Sequence, residues 1–219
     1  MNDQRITILS HFDPNPYNFR TFTVTFLSDR ITTTVTANPS VVRNWLFKVL
    51  RLHRIRHNRL VVGLGVEWNP FFSIEHPQAA TLQLCIGRQC LIFQLLHATH
   101  APLSVRRYLA DPRNTFVGVW NHSDEAMLLW SKHRLSVSRV VDACNVAAER
   151  SGLSRQLSME KLADIFLGAD EVKKPTRIGR NSPLHDASEL QLWRIILIYV
   201  VELQLSWNKF LLGNAGRRK

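Results

Sequence analysis

The run VVGLGVEW, residues 61–68, constrains this chain more than any other stretch. It is apolar on both faces that a strand presents, so it reads as a strand buried above and below and paired on its sides. It ends in an acid, Glu67, followed by the ring of Trp68. A carboxylate at the end of a buried strand is either a solvated strand end or the start of a site.

The rest of the chain supplies partners for that strand. TFTVTFLSDRITTTVTANP alternates apolar and polar residues across a Ser-Asp turn, the pattern of an antiparallel hairpin. Asn38-Pro39-Ser40 supplies a turn and an N-cap for a helix in which Val41, Trp45, Leu46 and Val49 recur at helical spacing. Two short strands, TLQLCIG and CLIFQLL, flank Gly87. A helix follows Pro102, then a buried strand TFVGVW, a helix SDEAMLLWSKH capped by Ser123, and a strand RVVDAC. The residues SMEKLADIFLG form a helix, 169–189 are polar and broken, and a long amphipathic helix is expected from Glu189 to Leu212. This order predicts an α/β domain, a mainly five-stranded mixed sheet flanked by helices, with the hairpin 22–36 paired to the strand at 61–67. The expected organisation is an N-terminal segment 1–21, one domain over 22–212 and a basic tail 213–219.

With 45% hydrophobic residues among 219, the chain can bury a sizeable core. Its 28 Lys and Arg exceed 17 Asp and Glu, giving net charge +11. That excess attracts polyanions, nucleic acid first among them. An anionic membrane surface is the alternative, but no isolated basic amphipathic segment supports it. The N-terminus lacks the pattern of a secretory leader. LWRIILIYVVELQLSW is interrupted by Arg194 and Glu202 and is too short to span a bilayer, so no membrane association is expected. Cys85, Cys90 and Cys144 make no disulfide framework. Cys85 and Cys90, with His97 and His100 nearby, are read as free thiols in a reducing compartment, with structural zinc as the alternative.

Several of these stretches fall in a known order. VVGLGVEW, TLQLCIGRQCLIFQL, PLSVRRYLADPRNTFVGVWNHSDEAMLL and SMEKLADIFLG resemble, in turn, the motifs of the DEDD-type 3′–5′ exonuclease domain of the ribonuclease-H-like fold, in its Werner-type branch. NPYNFRTFTVTF and TTTVTANPSVVRNWL are similar in particular to the plant RISC-interacting clearing exoribonucleases. The resemblance implies a hydrolase that trims single-stranded RNA in RNA silencing, uses Mg2+ or Mn2+, accompanies Argonaute proteins, assembles as a homo-oligomer and works in the cytoplasm or nucleus. Such enzymes use two divalent ions about 4 Å apart, which activate a water and stabilise the leaving oxygen; hard cations of this kind demand oxygen ligands.

Residue by residue, the resemblance puts Glu67 at the second acid of the first motif, Asp124 at the acid of the second, and Glu202 at the acid of the third. Gly65 stands where the first Asp is expected and offers no ligand. Ile198 stands where a Tyr or His orients the attacking water, and Trp120 replaces a glycine usual in the wider family. His185 and Asp186 lie in the preceding loop, where they are candidates to replace lost groups. Each acid also has a plainer reading: Glu67 as a solvated strand end, Asp124 as a favourable charge in the first turn of its helix, Glu202 as a surface residue, and Asp142 as an ordinary strand end. Arg51, Arg54, Arg56 and Arg59 form a basic run that suits phosphates or a solvated helix end, and Trp68 suits a stacked terminal base or a core lid. Two functions remain: an exonuclease whose acidic site has diverged, and a catalytically retired exonuclease fold that binds nucleic acid or serves assembly.

Overall fold

The computed structural model describes residues 7–11, 18–26, 28–54, 60–68, 79–152, 156–157 and 161–162. The elements are β1 Thr7–Ser10, β2 Arg20–Phe26, β3 Asp29–Thr36, α1 Pro39–Leu52, β4 Val61–Trp68, β5 Ala79–Ile86, β6 Gln89–Phe93, α2 Leu103–Leu109, β7 Thr115–Gly118, α3 Asp124–Trp130, β8 Val140–Asp142 and α4 Ala143–Ser151. The strands form one mixed eight-stranded sheet in the order β1-β2-β3-β6-β5-β4-β7-β8. The sheet has eight strands rather than the five expected, and β4 lies between β5 and β7. It pairs antiparallel with β5 and parallel with β7, which satisfies the two-sided demand of its apolar sequence.

Three strands extend this sheet. The hairpin β2–β3 joins it through a parallel pairing of β3 with β6, from Thr32↔Gln89 to Thr36↔Phe93. The expected pairing of 22–36 with 61–67 is therefore wrong. Both edges of β4 are already taken, so the hairpin adds to the outer edge of β6, and the chain returns to the centre through α1. β1 falls within 1–21, the segment expected to precede the domain, yet it pairs antiparallel with β2, with Thr7 opposite Thr25.

Local chemistry explains the boundaries. Asn38 caps α1, its side chain accepting from the Ser40 amide at 2.9 Å, with Pro39 at the first helical position. The buried stripe of α1 is Val42, Trp45, Leu46 and Val49, one residue off the expected set at its first member. Asp142 caps α4 by accepting from the Cys144 amide at 2.8 Å. That short helix was not read in the sequence. Of the helix expected over 158–168, only 161–162 are described; the loop 169–189 and the helix 189–212 lie outside the described residues.

One face of the sheet packs on α1, α2 and α3 through Leu60, Val62, Leu64 and Val66 of β4 and its approach, Leu82, Leu84 and Ile86 of β5, and Leu91 and Phe93 of β6. On the other face, Val61 and Val117 pack with Ala143, Cys144 and Ala147 of α4. Cys85 and Cys90 face each other directly across the β5–β6 hairpin, Cα atoms 4.3 Å apart, and form a disulfide. The free-thiol expectation fails for this pair, because the turn at Gly87 and Arg88 sets them in register. Cys144 is free and buried. Among the described residues, no helix is long and apolar enough to cross a membrane.

Candidate active site

The parallel pairs β4–β7 and β7–β8 bring the carboxyl ends of three strands to one edge of the sheet. Of the acids that the sequence singled out, Glu67 stands at the end of β4 and Asp142 ends β8 at this edge, and Asp124 opens α3 after the turn that leaves β7. Glu67 lies at the end of β4, half-buried, opposite Thr81 of β5. The register breaks between Glu67 and Trp68, and such an irregularity bends a strand and re-aims its side chains. Two residues back, Gly65 lies opposite Gln83.

Asp124 follows the turn that leaves β7. Gly118 ends β7, and a Cβ there would lie 2.8 Å from the Leu64 carbonyl oxygen and 3.1 Å from the Asn121 side chain. Glycine thus lets the chain leave β7 pressed against β4. The next turn is held by Asn121, buried, whose Nδ2 donates to the Val141 carbonyl at 3.0 Å. Trp120 adopts a left-handed conformation, φ 54° and ψ 39°, a strained state for a bulky residue of the kind that clusters at functional sites. Trp120 is 56% exposed. Asp124 then opens α3, which packs against β4 and β5. Ser123 precedes it without capping the helix through its side chain, contrary to the expected cap. Asp124 is only 8% exposed. It also stands in the first turn of α3, where the plainer reading places it.

Burial pushes the Cys144 thiol up to about 11, with the neighbouring Asp142 carboxylate adding to the shift. A thiol held neutral in this way is no nucleophile. Arg51 is exposed in the last turn of α1 and Arg54 is exposed just beyond it. Arg56, Arg59, Glu202, Ile198, His185 and Asp186 lie outside the described residues, as does the Trp68 side chain, although its backbone completes β4. His100 bonds to the Thr99 hydroxyl at 3.1 Å, and with Cys85 and Cys90 joined to each other the zinc alternative loses its two thiolates.

Two-metal chemistry asks for more oxygens than Glu67 and Asp124 carry. Among the described residues, no group of three or more His, Cys, Asp or Glu stands together to hold a metal ion. The acids among the described residues do not by themselves make a two-metal set. Sequence reasoning had passed over Gly118 and Asn121, which shape the turn, and Thr81 and Gln83, which face Glu67 and Gly65. Their importance comes from strand register, which no short motif encodes.

In comparison with solved structures, Escherichia coli RNase D superposes with a TM-score of 0.55 at 16% identity, over 76% of this chain and 43% of that one. The fold is the ribonuclease-H-like exonuclease fold. This chain spans less than half the length of RNase D, which is an exoribonuclease involved in structured RNA processing. The EXD2 exonuclease domain aligns over 85% of this chain and 98% of its own, with 20% identity and a TM-score of 0.47. The same domain soaked in Mn and dGMP aligns over 82% and 93%, with a TM-score of 0.45. No family model and no curated protein matches the sequence.

Proposed function

We propose that the chain is a 3′–5′ exonuclease of single-stranded RNA. One observation supports the reading: Glu67 ends the central strand, and the buried Asp124 opens the helix that follows the turn after its parallel neighbour. Mg2+ or Mn2+ would supply the activated water and the stabilised leaving oxygen that phosphodiester hydrolysis needs. Trp120, exposed in the turn after β7, offers a face on which a terminal base can stack, and Arg51 and Arg54 offer charge to phosphates. Following the sequence resemblance, the substrates are RNA fragments left by silencing in association with Argonaute proteins. The working form is a homo-oligomer whose copies complete one another's acid-poor sites, in the cytoplasm or nucleus.

A second reading, a retired exonuclease fold that binds nucleic acid, is favoured by Gly65 and by the absence of a three-acid cluster among the described residues. Digestion of 5′-labelled against 3′-labelled single-stranded RNA, with Mg2+ or Mn2+ and with or without chelator, separates the two. An exonuclease yields a chelator-sensitive ladder from the 3′ end, and Glu67→Gln or Asp124→Asn slows it about a hundredfold or more, the loss expected when a cation's hold on the reacting oxygens is weakened by several kcal/mol. Tight RNA binding with no chelator-sensitive digestion supports the retired fold.

A further inference from the structure

One strand of the site carries an unexplained polar face. On β5, Leu82, Leu84 and Ile86 enter the main core, while Thr81, Gln83 and Cys85 alternate onto the opposite face. Gln83 is 0% exposed, and neither its amide oxygen nor its amide nitrogen has a hydrogen-bond partner. The Thr81 hydroxyl, also buried, has none either. Buried polar groups are almost always paired, so the two residues on this face present donors and acceptors that a ligand could satisfy. Their register says which site they serve. Thr81 is directly opposite Glu67, and Gln83 is directly opposite Gly65. Residues so paired stand side by side on the same face of the sheet. The unpaired amide thus borders the one position of the site where a carboxylate is expected and no side chain exists.

We infer that the Gln83 carboxamide oxygen supplies a divalent cation at Glu67 with the ligand that Gly65 lacks, the Thr81 hydroxyl lying alongside. This rests on the exonuclease reading above and names the rebuilt part of that site. Mg2+ and Mn2+ accept neutral carbonyl oxygens beside carboxylates. An amide also suits the place: a fully buried carboxylate would need a permanent counter-charge, whereas a neutral amide tolerates an empty site. Either orientation of the amide fits, because both of its ends are unpaired.

The test is Mn2+ binding to the full chain, read as free Mn2+ by electron paramagnetic resonance and as the shift in melting temperature on adding Mn2+. Gln83→Leu removes an unpaired buried amide, so it is expected to melt higher without metal while binding Mn2+ at least tenfold more weakly. Gln83→Glu is expected to do the reverse, melting lower without metal and binding at least tenfold more tightly. Gly65→Asp in the Gln83→Leu background is expected to restore binding. If Gln83→Leu binds Mn2+ within twofold of wild type, or Gln83→Glu fails to tighten it, the inference is overturned; should Gln83→Leu not fold, the Gln83→Glu result decides alone. Mn2+ binding and digestion that depend on Glu67 but not on Gln83 would overturn the ligand role while leaving the exonuclease reading intact. A wild type that neither binds millimolar Mn2+ nor digests RNA would overturn both.

Discussion

At Gly118 a single hydrogen decides how closely β7 runs beside β4. A methyl group there meets the Leu64 carbonyl at 2.8 Å, and that oxygen belongs to the backbone of the central strand, which has no free rotamer to escape into. The Asn121 side chain, 3.1 Å away, is itself tied to Val141 and yields little. Gly118→Ala is therefore expected to cost about 1–3 kcal/mol of stability, the usual range for overpacking a tight site. It should cost activity out of proportion to stability, because the turn it displaces leads directly to Asp124. Urea denaturation and digestion rate on the same preparation check both parts. A variant as stable and as active as wild type would mean that the close approach of β7 to β4 is incidental. The same scale explains what the sequence revealed of the site. Glu67 and Asp124 could be singled out because each sits in a stretch whose order along the chain carries meaning. Gln83 and Thr81 were not, because which residue lies opposite Gly65 is a property of register between strands, and a one-residue slip would have put Leu82 or Leu84 there instead.

Most elements were legible from periodicity, whereas their partners were not. The alternation of 22–36 specifies a hairpin but not which edge it joins, and β6 rather than β4 had an edge to offer. The helix α4 hid behind a three-residue strand, since Asp142 both ends β8 and caps the helix. The turn after α3 shows how such elements are locked together. Lys132 Nζ donates to the Leu96 carbonyl at 2.9 Å, and His133 Nε2 bonds the Leu95 carbonyl at 2.8 Å, while the imidazole stacks near Phe93. Burial holds the His133 pKa below its ordinary 6.5. The hydrogen bond to Leu95 opposes that shift, and the positive charges of Lys132 and Arg106 assist it. The sign follows from linkage. Below about pH 6.5 the unfolded chain takes up a proton that the folded chain refuses, so this contribution is intact above that pH and is lost as pH falls toward the folded value. The urea midpoint of wild type should fall between pH 7 and the folded pKa. His133→Gln keeps a donor for Leu95 but does not titrate, so it should flatten that fall. Parallel pH profiles for the two proteins would assign the acid sensitivity elsewhere.

For the molecule as a whole, the deciding quantity is charge. A net +11 over 219 residues creates a field that draws polyanions whatever the chemistry at the sheet edge, so RNA binding by itself does not distinguish an enzyme from a retired fold. Salt dependence says where the charge is used. Each phosphate neutralised on a single strand releases counterions and contributes about −0.7 to the slope of log affinity against log salt. Arg51 and Arg54 are both exposed, at the end of α1 and just beyond it, on the segment that leads into β4. If each holds a phosphate, Arg51→Ala with Arg54→Ala should make the slope shallower by roughly 1.4, twice the single-phosphate value. Affinity should fall by a similar factor for every RNA sequence, since phosphate contacts carry no base information. Fluorescence anisotropy with a labelled single strand across a salt series measures both effects. An unchanged slope would return these arginines to the role of a solvated helix end. The strand's path would then be fixed by other basic residues, because a protein of this charge that binds RNA without salt dependence would contradict the electrostatics that make nucleic acid the expected partner.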